Sequence, residues 1–251
     1  MGTLAGKTAV VAGASGEANF GSAIARRLAA EGANVVVAAR RKEPLESLAA
    51  EIDGLAVACD VTDENQIEQL FAAAAAKYGN VDVAIFSAGI HADGAIAQLT
   101  AQTIRPTLEV SFIGALLFFK HAAASMKEGG SVITISSLTA RIPGPTMSVY
   151  SAARAGIDYA IKVAAMEYAG AKVRFNSIAA GLIETDMTSG FFSMDPIIQA
   201  HIDATPAGRM GTLDDMAEAA LFLADDVRSG YINGQVLDLA GGQQMGHLPK
   251  F

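Results

Sequence analysis

Seven short runs in this chain are apolar along nearly their whole length and rich in β-branched residues: 8–13, 34–39, 54–60, 81–89, 131–137, 173–181 and 235–242. A strand with one wet face alternates apolar and polar residues. A strand apolar on both faces, such as NVVVAA at 34–39, has to be covered from both sides. That requirement selects a parallel sheet sandwiched between helices. Segments of helical length lie between the runs, at 21–32, 43–52, 64–79, 103–127, 148–170 and 212–225, the last opening on Thr212 followed by acidic residues. This β-α rhythm predicts an α/β fold: a single doubly wound Rossmann-type domain spanning 1–251, with a seven-stranded parallel sheet flanked by helices on both faces.

Composition narrows the function classes. A formal charge of −8 over 251 residues argues against a nucleic-acid or anionic-membrane surface, because phosphate binding needs a clustered basic face. The single cysteine, Cys59, excludes an intramolecular disulfide and fits a reducing compartment. The N-terminus has no cationic segment before an apolar run, and no apolar run approaches spanning length free of charged or strongly polar residues. The expectation is a soluble, cytoplasmic protein with no membrane partner. One segment breaks the rhythm: about thirty residues separate the run at 173–181 from the helix at 212, and they carry Phe191, Phe192, Met194, Ile197 and Ile198. A connection this long reads either as a lid over a substrate, about 184–211, or as ordinary helix-to-core packing.

The first run opens into VVAGASGEANFGSAIARRLA, a strand, a glycine-rich turn and a helix. Glycines allow a tight turn and close approach of the backbone to a pyrophosphate, and a helix N-terminus offers unpaired N–H groups. Here they stand at Gly13, Gly16 and Gly21, with Ser15 and Phe20 between them. After the second run come Arg40, Arg41 and Lys42, with no acid until Glu43. A carboxylate at this place holds the ribose hydroxyls of NAD, whereas basic residues accommodate the extra phosphate of NADP. Three cations at a helix start otherwise oppose the helix dipole, so a bound phosphate explains them better than a solvated face does.

In this order along the chain, the glycine turn, CDVTD, SAG, ISS, the helix bearing Tyr150 and AGLIETDM resemble the short-chain dehydrogenase/reductase family, over essentially all 251 residues. The resemblance implies that Asp60, with Val61 beside it, touches the adenine, and that Ser87, Ala88 and Gly89 line the cofactor. It implies a nicotinamide contact from Ala180, Gly181, Ile183 and Thr185. It also implies that Ser137 and Tyr150, separated by twelve residues, work on the substrate oxygen. The family is commonly tetrameric, so a homo-oligomer, tetramer or dimer, is implied as well.

The chain departs from the family pattern at three places. Gly13 and Gly21 are two residues further apart than the family's outer glycines, which indicates an insertion that touches the roles of Gly16 and Asn19. Ser111, in VSFIG, stands where a helical asparagine completes the catalytic set. Arg154 stands where the family has lysine, four residues after Tyr150. A free phenol near pKa 10 is a weak base at neutral pH and needs a cation nearby to favour its charged form. Positions 150 and 154 share a helix face, so Arg154 can supply that charge and a ribose contact. Arginine stays protonated, so it cannot pass a proton on as lysine can.

The reading is an NADP(H)-dependent ketoreductase or alcohol dehydrogenase, with Tyr150 as general acid/base, Ser137 holding the developing alkoxide, and Arg154 and Ser111 completing the catalytic set. Two alternatives stand beside it. One is a catalytically silent NADP-binding homologue. The other is a nicotinamide-free enzyme like the halohydrin dehalogenases, which share the Ser-Tyr-Arg spacing but lose the glycine turn. The substrate is expected to be a small to medium, largely apolar carbonyl or secondary alcohol, met by 138–142, the neighbourhood of His91 and the lid. Arg141 is read as solvent-facing, with an acidic substrate as its other possible partner. His91, His121, His201 and His247 show no metal-ligand spacing, so no metal is expected. Cys59 reads as a buried small side chain.

Overall fold

The computed structural model describes residues 2–91, 94–192 and 194–246, and the backbone only of Phe191. His247 lies outside the described residues. Seven strands form one parallel sheet: β1 Thr8–Ala12, β2 Asn34–Ala39, β3 Leu55–Ala58, β4 Val83–Phe86, β5 Gly130–Ser137, β6 Val173–Ala180 and β7 Val236–Leu239. Their order is β3-β2-β1-β4-β5-β6-β7, so the winding reverses between β1 and β4. Ligands in such sheets bind outside the carboxyl ends of the strands at that reversal.

The all-apolar strands feed two cores, as two-sided burial requires. Val10 and Ala12 of β1 point into one with Phe86, Phe118, Ile157 and Phe175, whereas Ala9 and Val11 point into the other with Ile24, Leu28, Ile85 and Met216. Helices α3 Glu64–Tyr78, α5 Gly114–Ser125 and α6 Ser148–Glu167 cover the first face, and α1 Phe20–Ala30, α2 Lys42–Glu51 and α9 Leu213–Ala224 the second. Each fully buried Leu, Ile or Phe contributes about 1.5–3 kcal/mol, which fixes the frame against which loops at the strand ends are held.

The segment expected as one helix over 103–127 is three pieces: α4 Ala101–Leu108, a π turn Glu109–Ile113, and α5. Pro106 inside α4 removes a backbone donor, and the wide turn that follows is closed by the Gly114 N–H donating to the Glu109 carbonyl. A side chain on Gly114 would meet the Val61 carbonyl at 2.6 Å, so the π turn is pressed against the strand end that follows β3. By length and composition Ala101–Ser125 passes for a membrane-spanning helix. Its Ala115, Phe118, Phe119 and Ala122 are nevertheless buried in the first core. Beyond β6, the long connection to α9 holds two short helices, α7 Ser189–Phe192 and α8 Asp195–Ala204, with Ile197 and Ile198 half-buried. The last short helix, α10 Asp226–Ser229, follows α9 directly.

Candidate active site

At the end of β1 the chain turns at Gly13 with φ +91, a left-handed conformation that a side chain disfavours. Space forbids one too: a Cβ would lie 2.6 Å from the Ala88 nitrogen. Gly21, in the first turn of α1, sits so close that its Cβ would meet the Gly13 carbonyl oxygen at 2.5 Å. The two-residue insertion is absorbed between them. Asn19 becomes the cap of α1, its Oδ1 accepting from the Ser22 N–H at 2.8 Å, and the Ser22 hydroxyl donates to the Gly16 carbonyl at 2.7 Å. Gly16 is packed against Asn19 and the Asp186 carboxylate. The Asp186 N–H in turn donates to the Ala18 carbonyl at 2.8 Å, tying the enlarged turn to the segment after β6. Sequence reasoning missed Asp186, because its partner lies 168 residues away.

A cleft of about 460 Å³ opens at the β1–β4 reversal. Its lining includes Arg40 and Arg41 after β2 and Asp60 and Val61 after β3, with Ser15 and Phe20 of the glycine turn. Gly13 and Ala88 meet at the reversal itself, and Gly89, Tyr150, Arg154 and Thr185 line the cleft on the β5 and β6 side. Val110, Ile135 and Ser136 also line it, unpredicted by the sequence. Gly16, Gly21, Ile183, Ser111 and Ser137 are not among its walls. Gly16 and Gly21 shape the turn, and Ile183 is buried, its backbone bridged to Gly211.

On the β2 side, Arg41 donates through Nη2 to the Ser15 carbonyl at 2.7 Å, so one of the cations expected at a phosphate also holds the glycine turn. The carboxyl of Asp60 is held below the usual aspartate range, first by the Thr62 N–H and then by the Thr62 hydroxyl and the Arg40 charge. Burial pushes the Cys59 thiol up to about 11, with Asp60 and Asp63 adding to it, as expected of an inert side chain.

On the β5 and β6 side, α6 presents Tyr150 and Arg154 on one face. Arg154 is 4 % exposed, donates through Nη1 to the Ile135 carbonyl at 2.9 Å, and lies 5.1 Å from the centroid of the Tyr150 ring. A cation over an aromatic face is attracted by its π electrons. A side chain on Gly89 would collide with Arg154 Nη2, so that glycine leaves room for the guanidinium. The His91 ring meets the Tyr150 ring edge-on at 4.8 Å between centroids, which places His91 at the tyrosine.

Ser137 ends β5 half-buried, and its Oγ accepts from the Thr139 N–H at 3.2 Å and the Thr139 hydroxyl at 3.0 Å. Its own hydrogen remains to be donated. Ser111 is fully buried in the π turn, its Oγ without a hydrogen-bond partner among the described residues. Thr185 is buried and bonded to Thr188. Arg141 is exposed, as expected, and it is also ion-paired with Asp238 and lies 3.7 Å from Asp158. Among the described residues no group of His, Cys, Asp and Glu has the arrangement of a metal site.

These features suit a dinucleotide. Gly13, Gly16 and Gly21 of the turn and Gly89 stand where a Cβ would collide, and basic residues, Asp60 and a tyrosine line one cleft. Residues 13–244 match the family described as enoyl-(acyl carrier protein) reductase. The chain is 34% identical over 241 residues to carbonyl reductase family member 4 of Xenopus tropicalis, covering 95% of this chain and 99% of that one. It is 32% identical over 246 residues to a 3-oxoacyl-[acyl-carrier-protein] reductase of Thermotoga maritima, covering 95% and 98%. The solved structure of a short-chain type dehydrogenase/reductase from Mycobacterium ulcerans superposes with a TM-score of 0.93 at 28% identity, over 99% of this chain and 93% of that one. With its fold, its cleft and these relatives in agreement, the chain belongs to the short-chain dehydrogenase/reductase family of nicotinamide-dependent oxidoreductases.

Proposed function

We propose that the protein is an NADP(H)-dependent reductase that interconverts a carbonyl and a secondary alcohol on a small to medium, largely apolar substrate. The observation that carries this reading is one cleft lined by Arg40, Arg41 and the glycine turn together with Tyr150 and Arg154. Bound there, a reduced nicotinamide supplies the hydride. Arg40 and Arg41 would meet the 2′-phosphate, Asp60 the adenine, and Thr185 the nicotinamide side.

Tyr150 donates its phenolic proton to the substrate oxygen in reduction and recovers it in oxidation. The Arg154 cation over its ring favours the negative charge left on that oxygen. Because a guanidinium does not release its proton, Arg154 acts as a fixed charge and ribose donor, and the proton returns to Tyr150 from solvent or a ribose hydroxyl. The Ser137 hydroxyl, its acceptor side taken by Thr139, is left to donate to the developing alkoxide. A homo-oligomer, dimer or tetramer, is part of the same reading, supported by the exposed Tyr159, Val163 and Met166 along α6.

Turnover of a ketone panel with NADPH, alongside a fluorescence titration of NADPH, tests the mechanism. Tyr150→Phe is expected to abolish turnover and leave the titration intact. Full turnover in that variant contradicts it, and a wild-type protein that binds NADPH but reduces nothing favours a silent binder.

A further inference from the structure

Arg154 is a permanent charge in a place where burial is nearly complete. A lysine there can shed its proton, whereas an arginine cannot, so the fold has to supply a counter-charge. Among the described residues Arg154 makes no direct ion pair; its contacts are the Ile135 carbonyl and the Tyr150 ring. One turn further along α6 stands Asp158, 8 % exposed, so that Tyr150, Arg154 and Asp158 form a stripe at intervals of four residues. The Ser177 hydroxyl of β6 donates to Asp158 Oδ1 at 2.8 Å, and Ser136 of β5 stands beside the carboxyl. Arg141 Nη1 approaches Oδ2 at 3.7 Å. Burial raises the Asp158 carboxyl above the ordinary aspartate range, and the two serines and the charges of Arg141 and Arg154 oppose that rise.

The unmet atoms are complementary. Arg154 Nε is a buried donor and Asp158 Oδ2 a buried acceptor, and neither makes a hydrogen bond among the described residues. We propose that Asp158 is a positioning residue: it is the counter-charge that holds the Arg154 guanidinium in the floor of the cleft, against Gly89 and Ile135. Through Arg141, which follows the turn after Ser137 and is also paired with Asp238 of β7, the same carboxylate ties the Ser137 turn to the Tyr150 helix. The proposal rests on the reading that Arg154 meets the bound cofactor.

Asp158→Asn keeps the shape and the Ser177 partner but removes the charge. In the full-length protein it is expected to weaken NADPH binding about tenfold by fluorescence titration, roughly 1.4 kcal/mol. In an Arg154→Lys background, which lacks the Nε donor and can neutralise, the same change is expected to cost less than twofold. An equal loss in both backgrounds shows that Asp158 acts on the fold rather than through Arg154, and overturns the proposal. Unchanged binding in Asp158→Asn overturns it while leaving the reductase reading in place. No NADPH binding by the wild type removes that reading and the proposal together. Should Asp158→Asn not fold, Ser177→Ala loosens the same carboxylate and is expected to weaken NADPH binding about threefold. Lowered thermal stability with unchanged binding in that variant overturns the proposal.

Discussion

Gly89→Ala tests how the cleft holds its arginine. Gly89 does not occupy the left-handed region, so alanine costs little in backbone strain; the cost is space. The new methyl collides with Arg154 Nη2 and lies 3.2 Å from its Cζ, so the guanidinium has to move. Moving it breaks the 2.9 Å bond from Nη1 to the Ile135 carbonyl. A hydrogen bond from a charged group is worth about 1.5–3 kcal/mol, which corresponds to roughly 10–150-fold in affinity. Fluorescence titration of NADPH is expected to show a loss in that range, with kcat/KM falling at least as far. The loss belongs to Arg154 if it largely disappears in Arg154→Lys, because lysine carries no Nη2. Binding within twofold of wild type in Gly89→Ala refutes the reasoning. An undiminished loss in the lysine background shows instead that the methyl obstructs the ligand itself.

Four further outcomes follow from other parts of the molecule. Arg40→Ala is expected to weaken NADPH about tenfold and leave NADH unchanged, the scale of one lost charge-assisted contact. Arg41→Ala, which also releases the Ser15 carbonyl, is expected to weaken both cofactors, and paired titrations separate the two cases. With its thiol raised to about 11, Cys59 stays protonated at neutral pH and is expected to react with iodoacetamide only after unfolding, as followed by intact mass. Asp215, hydrogen-bonded by Arg209 and the Thr212 N–H, has its carboxyl depressed below the usual aspartate range. Its stabilisation is therefore full above the unfolded value near pH 4 and fades as pH falls toward the folded one. Asp215→Asn is expected to cost about 1 kcal/mol in urea unfolding at pH 7, shrinking below pH 4.

The sheet was legible because two-sided burial writes itself as uninterrupted apolar runs; 34–39 is β2 to the residue. Runs were read too long where they leave the sheet. The expected strand over 81–89 ends at Phe86, and Ser87, Ala88 and Gly89 belong to the cleft. A run of apolar and small residues does not record where pairing stops. The π turn was hidden for a related reason: its register is set by Gly114 pressing on the Val61 carbonyl, a contact between distant segments. Of the candidate site residues tied to local motifs, Gly13, Asp60, Tyr150 and Arg154 line one cleft. What escaped was charge pairing across elements. Arg141 is solvent-facing as read, but its pairing was hidden because its partners Asp158 and Asp238 lie on α6 and β7, and Asp158 carried no motif. The insertion in the glycine turn was visible as a length, but its anchor, Asp186, came from the far end of the chain.

In the proposed function Tyr150 directs hydride chemistry in this cleft with an arginine beside it. The most direct measurement uses NADPH deuterated on the transferable side of the nicotinamide C4, with a ketone the wild type reduces and mass analysis of the alcohol. One deuterium on the carbinol carbon, formed by the wild type and not by Tyr150→Phe, is the expected result. Product without deuterium, or labelled product formed equally well by Tyr150→Phe, contradicts the account.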